Sequence, residues 1–195
     1  MNMHNFVIYD LEFTAWEDSV RTRWNSGKDK REIIQIGAVK VNGGTFEEMD
    51  SFNSFVKPIE NPILSDFIVE LTGITQEKLD TEGASFKEAL VAFEKWREGL
   101  PAFAWGFDVK VLVENCKYYG ITVPFDTKKF SNMKDVFRKY RIEPEGVNSG
   151  RAPELLGMTP TLRAHNALND SRMILLALQA LKEKEGRVSL DVVRV

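Results

Sequence analysis

The stretch VIYDLEFTAW, residues 7–16, places two acidic side chains in what otherwise reads as a buried strand. Residues 6–9 are apolar or aromatic, as in a core strand, yet Asp10 and Glu12 follow at once. Side chains alternate between the faces of a strand, so residues two apart share a face. Two carboxylates held close together repel each other unless a cation or a shared proton relieves them. The pattern therefore indicates either a metal site or a solvent-exposed face.

The composition predicts one globular domain spanning residues 1–195. Apolar residues make up 43% of the chain and charged residues 28%, and this length buries one core but is short for two independent domains. The net charge of −3 gives no general basic coat of the kind that extended nucleic-acid-binding surfaces carry. Any contact with nucleic acid is therefore expected to be local or to depend on metal ions.

The sequence carries no targeting signal that we recognise. The start MNMHNF lacks the charged, apolar and cleavage regions of a signal peptide. The most apolar stretch, at residues 173–181, is too short for a membrane span and contains Gln179. A single cysteine, Cys116, is consistent with a reducing compartment. We therefore expect a cytoplasmic protein with no membrane partner, and the sequence does not indicate its oligomeric state.

Hydrophobic patterning predicts three strands followed by alternating helices and strands. The expected strands are residues 5–13, 32–41, 46–56 and 102–105. The expected helices are one between the Ser85–Glu88 capping box and Gly99, then 108–119, 132–140 and a last one from 165–169 to about 183. Residues 143–160 are expected to be a loop with one helical turn at 154–156. This order predicts an α/β fold on a mixed sheet.

Two further acids occupy positions where a binding site is expected. Asp108 follows an apolar strand at the turn into a helix, where α/β sheets bind ligands, although an aspartate there also serves as a helix N-cap. Asp170 shares a helical stripe with Met173 and Ile174, which predicts that it faces the core and needs a partner. His165 can address the same site only from the loop or first turn, because five residues correspond to about 140° on a helix.

The motifs DLEFT, WGFD and HNALND together resemble those of the DEDDh family of 3′-5′ exonucleases. That family has Asp-x-Glu first, an Asp second and His-x-Ala-x-x-Asp third. The stretches EIIQIGAVKV, SFVKP and ELTGIT also occur in the expected order, and the similarity extends from residue 6 to about residue 181, most of all to the ERI-1-like branch. The resemblance implies a ribonuclease H-like mixed β-sheet with helices packed on both faces.

The resemblance also implies an activity, the hydrolysis of phosphodiester bonds at the 3′ end of RNA or single-stranded nucleic acid with release of nucleoside monophosphates. Asp10, Glu12, Asp108 and Asp170 would hold two divalent ions, Mg²⁺ or Mn²⁺, which prefer oxygen ligands. Histidine is the usual side chain for general acid–base catalysis at physiological pH, and His165 is the candidate general base. The expected partner is a nucleic acid with a free 3′ end, RNA in preference to DNA.

Four residues are candidates for contact with the substrate. The resemblance implies that Leu11, Thr14 and Ile74 meet the 3′ nucleotide. Phe107 would stack on the terminal base, as aromatic residues do in single-strand binding, and a position in the core is the alternative.

A polar link at residues 15–31 joins the first two strands. It mixes tryptophans with basic residues, namely Trp16, Trp24, Lys28, Lys30 and Arg31. Such a link suits either a flap that contacts the substrate or a solvated loop held by its tryptophans.

Other functions stay open on the residues alone. One is a nucleic-acid-binding module with the exonuclease fold and no turnover, although binding alone does not need His165. Another is a DNA-directed, proofreading-type exonuclease. A third is a hydrolase that uses paired carboxylates without metal, as glycosidases do, and EDTA would leave that enzyme active. The sequence has no GxGxxG or P-loop motif, which argues against a dinucleotide or NTP enzyme.

Overall fold

The computed structural model describes residues 4–22 and 30–191. In chain order the strands are β1 (Phe6–Phe13), β2 (Ile33–Val41), β3 (Glu48–Phe55), β4 (Ala102–Ala104) and β5 (Phe130–Asn132). The α-helices are α1 (Ser19–Thr22), α2 (Asp66–Thr72), α3 (Gln76–Glu82), α4 (Phe86–Arg97), α5 (Asp108–Tyr118), α6 (Met133–Lys139) and α7 (Ala167–Glu185). Two 3₁₀ helices cover Thr127–Lys129 and Ser149–Leu156. None of the helices in these ranges is long and apolar enough to cross a membrane.

The five strands form one mixed sheet in the order β3-β2-β1-β4-β5. The pairs β1–β2 and β2–β3 are antiparallel, whereas β1–β4 and β4–β5 are parallel. The parallel strands end at the same edge of the sheet, which is where α/β folds form their ligand crevice. The predicted α/β fold with a mixed sheet is confirmed.

Alternation along β1 divides its side chains between two cores. Ile8 packs on one face of the sheet with residues of α6 and α7, and Tyr9 packs on the opposite face with residues of α4 and α5. Helices therefore cover both faces, as expected. Asp10 and Glu12 lie two and four residues beyond Ile8, so they share its face and point toward α7.

The helix α4 begins at the predicted capping box. The Ser85 hydroxyl accepts a hydrogen bond from the backbone N–H of Glu88, and the Glu88 carboxylate accepts one from the backbone N–H of Ser85. A cap of this kind stabilises a helix by about 0.5–2 kcal/mol. It fixes the start of a helix that buries Leu90 and Phe93 against the sheet.

Several elements differ from the sequence prediction. The helices α2 and α3 were not predicted, and each has seven residues, with Ser65 and Thr75 as their N-caps. The predicted helix at residues 132–140 is preceded by the short strand β5. The third strand begins at Glu48 instead of residue 46, because the buried Phe46 adopts a left-handed backbone conformation with φ of 65°.

The start of α7 approaches β2 more closely than a side chain at the contact would allow. A Cβ atom at Gly37 would lie 2.1 Å from a backbone nitrogen of α7. The Gln35 side-chain oxygen accepts from the N–H of Ala167 at 3.0 Å, and the Ser171 hydroxyl donates to the carbonyl of Gly37 at 3.0 Å. Gly37 also pairs with Asp10 in the sheet. These contacts place the first turn of α7 beside the acidic end of β1.

Candidate active site

The four acids singled out in the sequence come together at one edge of the sheet. Asp10 and Glu12 lie near the end of β1, Asp108 begins α5 shortly after β4, and Asp170 lies in the first turn of α7. The first two and Asp170 are buried, with 8%, 7% and 2% of their surface exposed, and Asp108 is half-buried. The acids converge because β1 and β4 are parallel and because α7 docks on β2.

Burial raises the pKa of each of these acids, and for Asp10 and Glu12 the charges of neighbouring acids raise it further. Burial raises the pKa of Asp10 well above its usual range, and the charges of Asp170, Asp108 and Glu12 raise it further. Burial, followed by the charges of Asp170 and Asp108, raises the pKa of Glu12 to about 8. Burial also raises the pKa of Asp108 to about 6. Without a counter-ion the site therefore retains protons at neutral pH.

Asp170 has one satisfied and one unsatisfied oxygen. Its Oδ2 accepts a hydrogen bond from the Ser149 hydroxyl at 2.9 Å, whereas its Oδ1 is buried and has no hydrogen-bond partner within the residues described. Burial raises the pKa of Asp170, although the hydrogen bond from Ser149 and the neighbouring His165 oppose this rise. Gly150 keeps the space next to Oδ1 open, because a Cβ there would lie 2.7 Å from that atom. A buried carboxylate oxygen without a partner is costly, and a cation would satisfy it.

The donor atoms at this edge fit divalent metal ions. Glu12, His165 and Asp170 each offer a ligand atom, and these three atoms lie within 4.8 Å of one another. Asp10 and Asp108 add two more carboxylates at the same edge. Carboxylate oxygens are the ligands that hard divalent cations prefer, and the free Oδ1 of Asp170 supplies a specific point of attachment.

His165 lies in the loop before α7, at the position from which it can address this site. Asn166 caps the helix, and its side chain accepts the N–H of Asn169. The backbone of His165 is left-handed, with φ of 59°, a conformation in which histidine is one of the commoner non-glycine residues. This conformation places a ring nitrogen near the carboxylates of Glu12 and Asp170.

The four residues expected to contact the substrate fall into two groups. Phe107 is 63% exposed, so the alternative of a core position is wrong, and the Lys110 ammonium lies 4.6 Å from its ring centroid. Leu11, Thr14 and Ile74 are buried, with at most 4% of their surface exposed. Their contact with a 3′ nucleotide stays a prediction.

Phe107 also settles the local role of Asp108. Phe107 occupies the N-cap position of α5 and makes no side-chain capping hydrogen bond, while Asp108 is the first helical residue. The alternative reading of Asp108 as a helix N-cap is therefore wrong. Its carboxylate instead lines a cavity together with Asp10.

The polar link between β1 and β2 is only partly described. Residues 23–29 of the link lie outside the described ranges, and they include Trp24 and Lys28. At its end the Lys30 ammonium lies 3.1 Å from Glu60, and the Arg31 guanidinium lies 2.6 Å from Glu114. These ion pairs attach the end of the link to neighbouring segments, and its role as a flap stays a prediction.

The sequence did not indicate two polar residues beside the acids. A cavity of about 410 Å³ adjoins the acidic edge. Its lining includes Asp10, Trp105, Asp108, Lys134 and Ser149. Lys134 lies in the first turn of a short helix and Ser149 begins a 3₁₀ helix, and neither belongs to a recognisable local pattern. Only the three-dimensional packing brings them to the site.

Known proteins share both the sequence and the fold. The family model RNase_T, described as Exonuclease, matches residues 7–178. ERI1 exoribonuclease 2 from Homo sapiens is 32% identical over 204 residues, which cover 91% of this chain and 28% of the human protein. The 3′-5′ exonuclease Snipper from Drosophila melanogaster is 28% identical over 197 residues, which cover 88% of this chain and 67% of that protein. The chain thus spans between a quarter and a third of the human relative.

One solved structure shares the fold of this chain over almost the whole length of both chains. The nuclease domain of 3′hExo, a DEDDh family member bound to rAMP, has a TM-score of 0.79 and 27% identity, with 98% of each chain covered. The match therefore includes the mixed sheet and the helices on both of its faces. The motif acids, the fold and the family match lead to one assignment: the chain belongs to the exonuclease family, within its DEDDh 3′-5′ exonucleases of the ERI-1-like branch.

Proposed function

We propose that this protein is a metal-dependent 3′-5′ exonuclease that shortens RNA from a free 3′ end. One observation carries the proposal, the convergence of four largely buried carboxylates around the unpartnered Oδ1 of Asp170, next to His165. Nucleic-acid binding without turnover explains neither the crowding of like charges nor the histidine. RNA is favoured over DNA because relatives along most of the chain are named exoribonucleases. We assign the activity to one domain formed by residues 1–195.

The acids would hold the metal ions. Asp10, Glu12, Asp108 and Asp170 supply the oxygen atoms, and two divalent ions bound there would activate the attacking water and stabilise the leaving 3′ oxygen. Mg²⁺, with Mn²⁺ as a substitute, suits a set of carboxylate ligands. The bound cations would also reverse the sign of the local charge, which allows an acidic protein to accept a polyanion.

His165 would accept the proton of the attacking water. The water oxygen bonds to phosphorus and the bond from phosphorus to the 3′ oxygen breaks. The departing 3′ oxygen takes up a proton from solvent, which yields a nucleoside 5′-monophosphate and a strand with a new 3′ hydroxyl. The histidine lies beside Glu12 and Asp170, and its position in a mainly exposed loop connects it to solvent. A neutral imidazole at this place is suited to general base catalysis near neutral pH.

Substrate contacts would come from both sides of the acids. The exposed Phe107 ring would stack on a base. Leu11, Thr14 and Ile74, which lie beneath the surface at the ends of β1 and α2, would shape the wall of the pocket for the 3′ nucleotide.

The proposal is tested with 5′-labelled RNA in the presence of Mg²⁺. We expect stepwise shortening from the 3′ end, release of mononucleotides, strong inhibition by a 3′ phosphate and complete loss of activity in EDTA. DNA of the same sequence measures the preference for RNA. Cleavage of circular RNA as fast as linear RNA would show that the enzyme is not an exonuclease, and full activity in EDTA would show that it does not need metal.

A further inference from the structure

Lys134 is a half-buried cation that faces the cavity beside the acids. It lies in the first turn of α6, directly after β5, and it lines the cavity together with Asp10 and Asp108. Its ammonium lies 5.7 Å from the centroid of the Trp105 ring. Within the described ranges, 4–22 and 30–191, this ammonium has no hydrogen bond and no ion pair at 4 Å or less. The side chain is thus held at the cavity without a charged partner in contact.

The wall behind Lys134 is rigid. The Trp105 indole N–H donates to the carbonyl of Val147 at 2.8 Å, and the ring packs edge-on against Phe137 at 5.1 Å between centroids. Trp105 is 6% exposed. An ammonium over a fixed aromatic face keeps a favourable contact while its protons stay available to a ligand in the cavity.

The charges around Lys134 change when metal ions bind to the site. Burial lowers the pKa of Lys134, whereas the charges of Glu145 and Asp108 raise it and that of Arg138 lowers it further. In the metal-free protein the nearby acids attract the ammonium. Once divalent ions neutralise those acids, the ammonium faces cations, and an anionic ligand in the cavity is the natural partner.

The position of Lys134 relative to the strands of the sheet indicates which part of a bound nucleic acid would contact it. Three of the residues proposed for the 3′ nucleotide, Leu11, Thr14 and Ile74, lie at the end of β1 and near β2, where Ile74 shares a buried cluster with Ile34. The fourth, Phe107, follows β4, which lies between β1 and β5. Lys134 follows β5, two strands from β1 on the other side, or about 10 Å away, since neighbouring strands lie about 4.8 Å apart. A strand that enters the 3′ pocket and crosses the acids therefore continues toward Lys134 with its 5′ part.

We propose that Lys134 and its cavity form a binding site for the phosphodiester one step 5′ of the scissile one. This inference rests on the proposed exonuclease function and adds a substrate contact to it. Lys134 would act as a point charge with three donors toward a phosphate oxygen. It would bind the strand that stays behind and would not take part in the chemical step.

The test compares a substrate that has this second phosphodiester with one that lacks it. A dinucleoside monophosphate contains only the scissile bond, whereas a hexanucleotide has upstream phosphates. For Lys134→Met we expect KM for the hexanucleotide to rise about tenfold, as for the loss of a charged hydrogen bond, while kcat/KM for the dinucleoside monophosphate changes less than twofold. The slope of log KM against log salt should fall by about 0.7, the share of one phosphate in a single strand.

Two variants serve as controls. Lys134→Arg should restore most of the affinity for the hexanucleotide, because it keeps the charge. Lys128→Met removes the same charge from an exposed position ahead of β5, at the end opposite the cavity, and should leave both substrates unaffected. Retained cleavage of the dinucleoside monophosphate shows that Lys134→Met is folded.

Each alternative role gives a different result. An equal loss on both substrates would place Lys134 at the scissile phosphate or the metal site and would overturn the proposal, as would no loss on either. Tighter Mn²⁺ binding by Lys134→Met without any dependence on substrate length would identify a counter-charge for the acids instead. If the wild type cleaves neither substrate, the exonuclease function fails, and Lys134 is then judged by binding of the labelled hexanucleotide in Ca²⁺, where Lys134→Met should bind about tenfold more weakly.

Discussion

Two buried carboxylate sites in this protein differ in the number of hydrogen-bond donors that surround their oxygens. Glu32, next to β2, is fully buried and accepts hydrogen bonds from the backbone N–H groups of Ile59, Glu60 and Asn61, from the Asn61 side chain and from the Tyr119 hydroxyl. Burial alone would raise the pKa of Glu32, but the hydrogen bond from Tyr119 and those from the backbone outweigh it and lower the pKa.

Among the residues that the structure describes, the acidic edge has no comparable set of donors. Within the described residues Asp170 keeps one buried oxygen without a partner, and burial, followed by repulsion from the neighbouring acids, raises the pKa values of Asp10 and Glu12. The contrast distinguishes a structural acid from a functional one. The carboxylate of Glu32 holds a loop through hydrogen bonds from surrounding donors. The carboxylates of the acidic edge lack such donors, so their oxygens are available to ligands.

The largest expected effect is on catalysis at the acidic edge. Asp10→Asn and Asp108→Asn should each lower the rate of RNA hydrolysis by about a thousandfold or more, since metal stabilisation of the transition state is worth several kcal/mol. The melting temperature without metal should not fall, because each change removes repulsion. Nuclease assays and thermal melts in EDTA measure both. An Asp10→Asn enzyme with wild-type activity would disprove the metal-site assignment.

The next largest effect concerns His165. His165→Ala should lower kcat by about 10²- to 10⁴-fold, the usual range for a general base, with little change in Mn²⁺ affinity. The wild-type rate should rise with pH as the general base loses its proton, and the variant should lose that limb. The other histidine of the chain, His4, is exposed, and His4→Ala is the matched control. A large loss of Mn²⁺ affinity in His165→Ala with the pH limb intact would make His165 a metal ligand.

A third prediction addresses the structural acid. Glu32→Gln replaces an acceptor oxygen by a donor against groups that are themselves donors, and it should cost about 2–4 kcal/mol of stability. For a chain of this size the melting temperature should fall by roughly 5–15 °C. The kcat of the folded fraction should stay within a few fold of the wild type. If Glu32→Gln loses activity without losing stability, the division between the two sites is wrong.

The smallest effect is the pH dependence of stability without metal. The folded-state pKa of Glu12 is raised to about 8 and that of Asp108 to about 6, so the folded protein binds more protons than the unfolded chain between these values and the ordinary carboxyl range. The contribution of Glu12 and Asp108 to stability is therefore full below pH 4 and is lost as the pH rises toward 8. The pKa of Glu32 is lowered, so Glu32 stays ionised throughout this window.

Melts in EDTA measure this effect. Between pH 5 and 8.5 the melting temperature should fall by at least about 2–4 °C, which corresponds to roughly 1 kcal/mol for a chain of this length. Added Mg²⁺ should reverse the fall at pH 8.5, because a ligand that binds only the folded state stabilises it. A melting temperature that rises across this range in EDTA would contradict the raised pKa values.

Much of the fold was accessible from the sequence, because long amphipathic elements carry strong periodic signals. The acids of β1, the capping box at Ser85 and the last helix all rest on such signals. The helices α2 and α3 were not predicted because two turns are too few to show the helical spacing of apolar residues. Ser65 and Gly73, the caps of α2, were the available signal. The strand β5 has three residues, too few for alternation to register.

The site was predictable only where a motif marks it. The acids and His165 were found through their spacing along the chain and its family resemblance. Lys134 and Ser149 reach the site through tertiary packing of short elements, which no local pattern reports. The satisfied state of Glu32 depends on partners 27 to 87 positions away, so its contrast with Asp170 is visible only in three dimensions.

The missing side chain at Gly37 has a consequence for how this site can change. Gly37 pairs with Asp10 in the sheet and lets the backbone of α7 approach β2. This close contact, together with the hydrogen bonds of Gln35 and Ser171, sets the separation between Asp10 and Asp170. A single methyl group at position 37 would alter that spacing. The separation of two proposed metal ligands therefore depends on Gly37, a residue that has no side chain to bind a ligand.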